Sequence, residues 1–137
     1  MIKTLTIFLT SDADWDTYVG RFGTEIVKMG IVDHFQKIDY GQGIKKIIIL
    51  LLCRDPIFEF KPIINFTKKD KTLGMDIMFD FELMKTISME ERKAIIAQKL
   101  HDEVPVIVRK YKKIEDFDHE RFIKDFQQWI VNLGWIP

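Results

Sequence analysis

A single cysteine, Cys53, excludes a disulfide framework. It sits inside the most apolar run of the chain, so it reads as a small buried hydrophobe in a reducing compartment. Neither sign of charge is in excess, with Lys+Arg and Asp+Glu at 21 each, and no global field favours nucleic acid, an anionic membrane or an acidic substrate. The longest apolar run is far too short to span a membrane. The N-terminus, Met1-Ile2-Lys3 and a brief apolar stretch ending in Ser11-Asp12, is too short and too soon acidic for a signal peptide, which points to the cytoplasm. No internal repeat, low-complexity segment or flexible linker interrupts residues 1–137, so one domain is expected. A chain of this length buries roughly 68% of its unfolded surface and needs neither disulfide nor metal to stand. No cofactor is implied.

What is present begins with residues 47–53, Ile-Ile-Ile-Leu-Leu-Leu-Cys, bounded by Lys45-Lys46 and by Arg54-Asp55-Pro56. This is the pattern of a central strand whose two faces are both at least partly covered. Alternation of Leu5, Ile7 and Leu9 with Thr4, Thr6 and Phe8 gives a first strand over 3–9. Ser11 or Asp12 then caps a helix whose stripe is Trp15, Tyr18, Val19, Phe22, Ile26 and Met29, with Gly30 as its stop. Residues 31–40 alternate poorly and are read as a strand. Residues 57–66 form another, which Pro62 confines to an edge or a bulge. Residues 73–83 alternate over their whole length: Leu73, Met75, Ile77, Phe79 and Phe81 face a core, opposite Asp76, Met78, Asp80 and Glu82 on a free surface. Consecutive strands with short turns make a meander.

The last third changes period. Ser88 and Glu91 form a capping box before Ile96, Leu100, Val104, Ile107 and Tyr111, and Pro105 must kink that helix or end it. Asp118 caps a final helix, with Phe117 and Phe122 as a hydrophobic staple and Gly134 as the stop. The expected fold is α+β: a mostly antiparallel sheet of four or five strands, one helix after strand 1 and two C-terminal helices.

Candidate chemistry is sparse. Asp12, Asp14 and Asp16 invite comparison with calcium loops, but Thr17 and Gly23 stand where such a loop needs Gly and Glu, so helix N-terminal carboxylates are the simpler account. Asp55, Glu59 and Lys61 resemble a metal-dependent nuclease core, although the first acid of that core belongs to a neighbouring strand and Asp55 is only four residues from Glu59. His34, His101 and His119 have no ligand spacing with one another or with Cys53. Gly20-Arg21-Phe22-Gly23 looks like an RNA-clamping loop but sits in a helix pattern, where close packing explains the glycines. Arg109-Lys110-Tyr111-Lys112-Lys113 is a basic cluster with an aromatic, a candidate phosphate contact, but Glu115, Asp116 and Asp118 follow at once and a solvated helix end is the simpler account. No Ser-His-Asp or Cys-His arrangement and no phosphate-cradling loop is suggested.

The hydrophobic helix, Lys110-Tyr111-Lys112-Lys113, Asp116-Phe117-Asp118, and an aromatic helix closing on Trp129-Ile130 and Gly134-Trp135 combine with the 73–82 strand. In this combination the chain resembles the small α+β immunity proteins of bacterial polymorphic-toxin systems. That resemblance implies a non-catalytic cytoplasmic protein that binds and blocks a cognate toxin, with no nucleic acid or membrane as partner. The neutral charge departs from the acidic balance common among inhibitors of basic nuclease toxins. The other function class is an enzyme, a metal-dependent nuclease using Asp55, Glu59 and Lys61.

A partner is expected on the outer face of the 73–83 strand, where Asp76, Asp80 and Glu82 make an acidic row around Met78. Pairing with 57–66 would add Glu59 and Lys61, flanked by Ile57 and Ile63. A helix or a second copy of the chain, as in a homodimer, is the other way to cover those apolar groups.

Overall fold

The computed structural model describes residues 5–11, 18–55 and 61–137. In chain order the elements are β1 (Thr6–Ser11), α1 (Gly20–Lys28), α2 (Ile31–Gln36), β2 (Lys46–Leu52), β3 (Ile64–Thr67), β4 (Thr72–Met78), α3 (Phe81–Thr86), α4 (Met89–Lys110) and α5 (His119–Asn132). The strands form one sheet in the order β1-β2-β4-β3. The α+β class is as expected, but the sheet is mixed and mostly parallel, not mostly antiparallel. β1, β2 and β4 run parallel, and only β3 is antiparallel to its neighbour. The meander fails because β3, although it lies between β2 and β4 in sequence, pairs only outside β4. Alternation reports which face a residue occupies and carries no information on strand direction.

Register explains the core. Ile7, Ile47 and Leu73 lie side by side, as do Leu9, Ile49 and Met75, while Leu51 neighbours Ile77. All eight are buried, and Ile64 and Phe66 of β3 extend the same face beside Met75 and Leu73. α1 and α2 pack on β1, α4 on β4, and α5 on α4. The buried helix residues join these strand residues in one apolar core. On the reverse face Ile48 and Leu50 are half-buried and Phe8 is 47% exposed. The central strand is therefore fully covered on one side only.

Four local expectations are corrected. Residues 31–36 are helix α2, because Ile31 and Phe35, four apart and both fully buried, face the core. Gly30 supplies the left-handed turn, φ +97°, between α1 and α2. The 73–83 strand stops at Met78, where the chain turns and Asp80 becomes the N-cap of α3, accepting the Leu83 N–H at 3.2 Å. Of the expected 57–66 strand only Ile64–Thr67 is strand among the described residues, while Pro62 lies in coil before it. The first described helix begins at Gly20 with Val19 as its N-cap rather than Ser11, which ends β1, and the alternative cap Asp12 lies outside the described residues together with 13–17.

Other signals correspond closely. A Cβ on Gly23 would stand 3.4 Å from Leu51, so α1 lies close on the sheet at the glycine pair of 20–23. Ser88 accepts the Glu91 N–H at 3.1 Å and Asp118 accepts that of Arg121 at 3.2 Å. The Phe117 and Phe122 rings meet at 6.0 Å. Phe35, Tyr40, Phe122 and Phe126 continue that aromatic cluster, which locks α2 to α5, and the Tyr40 hydroxyl donates to Asp125 at 2.7 Å.

Pro105 neither ends α4 nor leaves its helix unsatisfied. Lacking an N–H, it cannot bond the carbonyl four residues back, that of His101. The Gln127 carboxamide of α5 donates to that carbonyl instead, at 3.2 Å.

Two predictions follow from these contacts. Phe79→Ala should lower unfolding free energy by about 3–5 kcal/mol and Asp80→Ala, as a lost cap, by about 1 kcal/mol in urea titrations. Comparable small losses would place Phe79 outside the core. Gln127→Leu should cost about 1 kcal/mol alone and less in a Pro105→Ala background, where the helix supplies its own N–H. An equal cost in both backgrounds would show that Gln127 does not compensate for the proline.

Candidate partner-binding surface

The outer boundary of the sheet is a seam between the short strand β3 and the helix α4. β3 contributes Ile64 and Phe66, both half-buried. From α4, Glu103, Val106, Ile107 and Lys110 fall at the spacing that shares one side of a helix. At the start of β3, the seam opens into a groove of about 450 Å³ lined by these four residues with Pro62, Ile64, Asp76 and Met78. Ile63 beside it is 66% exposed and Val106 is 53% exposed.

Asp76 serves the local fold as well as the surface. Its backbone N–H donates to the Ile63 carbonyl at 3.0 Å, and its carboxylate accepts the Ile63 N–H at 2.8 Å. The β3–β4 hairpin pairing is thereby extended one residue ahead of the start of β3. Met78 is held through its carbonyl, to which Lys99 of α4 donates. Lys99 also pairs with Glu103 at 3.5 Å, so α4 and the end of β4 are bound together at the groove.

Of the residues expected on this surface, Asp76 and Met78 come together in the groove. Asp80 and Glu82 leave the strand row with the turn into α3. Glu82 pairs with Lys85 at 2.8 Å, and this bond is the main cause of the raised Lys85 pKa. Lys61 is exposed in coil, while Glu59 lies outside the described residues together with Asp12, Asp14 and Asp16. Of the Asp55, Glu59 and Lys61 constellation, Glu59 thus lies outside the described residues.

Glu103, Val106 and Lys110 were missed from the sequence as parts of this surface, whereas Ile63 was expected beside it. The available signal was Val106, an apolar residue off the buried stripe of its own helix. In the basic cluster, Arg109 is committed to Glu120 through two bonds of 3.1 and 3.0 Å. That pairing raises the Arg109 pKa and lowers that of Glu120. Lys110 instead reaches the seam.

His119 meets the Tyr111 carbonyl at 2.8 Å, and His101 meets Asp102 at 2.8 Å, which with Gln98 lowers the Asp102 pKa. Among the described residues no group of three or more His, Cys, Asp and Glu could hold a metal ion. No described helix is long and apolar enough to cross a membrane. The groove offers contact chemistry: apolar groups in the middle and both signs of charge at the margin, the composition of a protein-recognition surface.

No curated protein and no solved structure matches the chain. The likeness to immunity proteins carried by the C-terminal sequence pattern is met by a family model, described as Immunity protein 44, that matches residues 5–132. The match spans nearly the whole chain, and the protein belongs to the Immunity protein 44 family.

Proposed function

We propose that this protein neutralises a cognate bacterial toxin by binding it, without catalysis, in the cytoplasm of the cell that makes both. The family match over residues 5–132 carries this reading. The groove supports it with a contact surface: Ile63 and Val106 are more than half exposed beside Asp76, Met78 and Glu103. Exposed apolar side chains ringed by charge are suited to a partner that removes them from water.

We place Asp76 and Met78 at the centre of the contact, with Lys61, Asp80 and Glu82 at its margin. Glu59 is not used. Asp76 and Asp80 also hold backbone N–H groups, so reversing their charge would mix a folding effect with a binding effect. Exposed apolar positions separate the two more cleanly.

Ile63→Arg combined with Val106→Arg should therefore weaken binding to the toxin encoded beside this gene by about a hundredfold and remove protection in cells. The melting temperature should stay within about 3 °C of the parent. Phe8→Arg, on the reverse face of the sheet, is the control and should leave binding unchanged. Full protection by the folded double variant would remove the groove from consideration. A dimer in solution that the same substitutions dissociate would assign the groove to a second copy of the chain.

A further inference from the structure

Past the groove, the same seam widens into a second cavity of about 610 Å³. The β3–β4 turn, the end of α4 and the segment after it enclose this space. Phe66 and Tyr111 line it with ring centroids 6.3 Å apart, an apolar surface that remains half-buried. Four lysines also line it: Lys68 and Lys71 from the turn, and Lys110 and Lys113 from the end of α4 and beyond. None of the four forms an ion pair among the described residues.

The acids on the opposite wall do not cancel this charge. Glu115 and Asp116 are two against four. Asp116 is also occupied, its carboxylate accepting the Gln42 N–H at 3.2 Å and its carbonyl accepting the Gly43 N–H at 2.7 Å. That wall is tightly fitted, because a Cβ on Gly43 would stand 2.0 Å from the Glu115 carbonyl oxygen. The Gln42 side-chain oxygen is buried there without a hydrogen-bond partner among the described residues.

Lys71 supplies a separate argument. Its φ of +52° lies in the left-handed region, which glycine or asparagine adopts with less strain. The local backbone explains the conformation: the Lys71 carbonyl accepts the Lys45 N–H at 2.8 Å and the Lys46 N–H at 3.3 Å, holding the start of β2. It does not explain the lysine. A glycine would satisfy the same bonds, so what lysine adds is a cation on the cavity.

Clustered lysines in a walled cavity raise the local positive potential, and an anion entering it relieves their mutual repulsion. An apolar lining of two aromatic rings also favours something larger than a bare anion. The cavity is continuous with the groove, since Lys110 lines both, and in the groove Asp76 carries the opposite charge, Glu103 being paired with Lys99 at 3.5 Å. We propose that the lysine cavity receives an acidic segment of the partner toxin, its carboxylates on the four lysines and an apolar side chain against Phe66 and Tyr111. This assignment rests on the toxin-binding reading above. It gives the contact a polarity, acidic on the toxin at one end of the seam and basic at the other.

The test measures binding of the purified toxin to three forms of the protein, together with melting temperatures. For the parent, affinity should fall about tenfold between ~50 and ~300 mM NaCl, as screening of exposed charges requires. Lys68→Glu with Lys113→Glu should weaken binding about a hundredfold and flatten that salt dependence. Lys71→Gly should melt no lower than the parent yet bind several-fold more weakly, a combination that a purely structural lysine would not produce. A glutamate-rich peptide containing one phenylalanine is the second probe, read by NMR at the Phe66 and Tyr111 rings against inorganic phosphate. Perturbation by the peptide but not by phosphate supports the assignment. Perturbation by phosphate alone overturns it in favour of a small anion. A parent that binds toxin no better than it binds the folded Lys68/Lys113 double variant overturns the cavity while leaving the toxin reading intact. A parent that ignores the toxin but takes the peptide overturns the toxin reading itself.

Discussion

Pairing of β2 with parallel strands on both of its edges is the constraint on which the remaining structure depends. A parallel pair cannot be closed by a tight turn, so the chain must return to the starting end of the sheet before each new strand. Residues 12–45 make the first return and bring α1 and α2 against β1. Residues 53–71 make the second without a described helix, forming β3 as a hairpin outside β4. The helices that follow β4 then cover its half of the sheet. Burying Ile47, Ile49 and Leu51 beneath this cover contributes about 1.5–3 kcal/mol per side chain, which makes the register of the middle strand costly to change.

α4 is the second organising element, and its continuity through Pro105 has a consequence for the groove. If the helix broke at that residue, Glu103 would lie on one segment and Val106, Ile107 and Lys110 on another. Donation by Gln127 to the stranded His101 carbonyl allows one rigid helix to present all four along β3. The Arg109–Glu120 pair ties the same end of α4 to α5. Its contribution is modest because both groups are exposed, but it removes the arginine from the basic cluster and leaves the lysines to the cavity.

Much of the secondary structure was legible because its signals are local. The caps at Ser88 and Asp118, the Phe117–Phe122 staple, the apolar stripe of α4 and the central strand each depend on residues a few positions apart. Strand direction was not legible, since Leu73, Met75 and Ile77 would alternate equally well beside an antiparallel neighbour. The end of β4 was hidden for a related reason. Phe79 and Phe81 prolong the alternation, although Asp80 between them already caps the next helix. Residues 31–36 offer just two buried positions, too few to separate a helical period from a strand. The surface suffered most, because Lys68 and Lys71 are distant in sequence from Lys110 and Lys113 and only the β3–α4 seam brings them together.

That distance also changes the meaning of a zero net charge. Twenty-one acidic and twenty-one basic groups remove any global attraction, but they say nothing about how charge is divided along a surface. Here the seam divides it unevenly: Asp76 and the Lys99-paired Glu103 lie at the groove, while four lysines, of which Lys110 also borders the groove, line the neighbouring cavity. A uniformly charged inhibitor can gain attraction in many orientations, whereas this arrangement rewards a partner whose own charges are divided in the opposite sense. A reversed partner would place like charges together at both ends of the seam and bury them there without compensation. Discrimination of that kind comes from the wrong orientation being penalised as much as from the right one being favoured, so a neutral chain can be selective without being strongly charged.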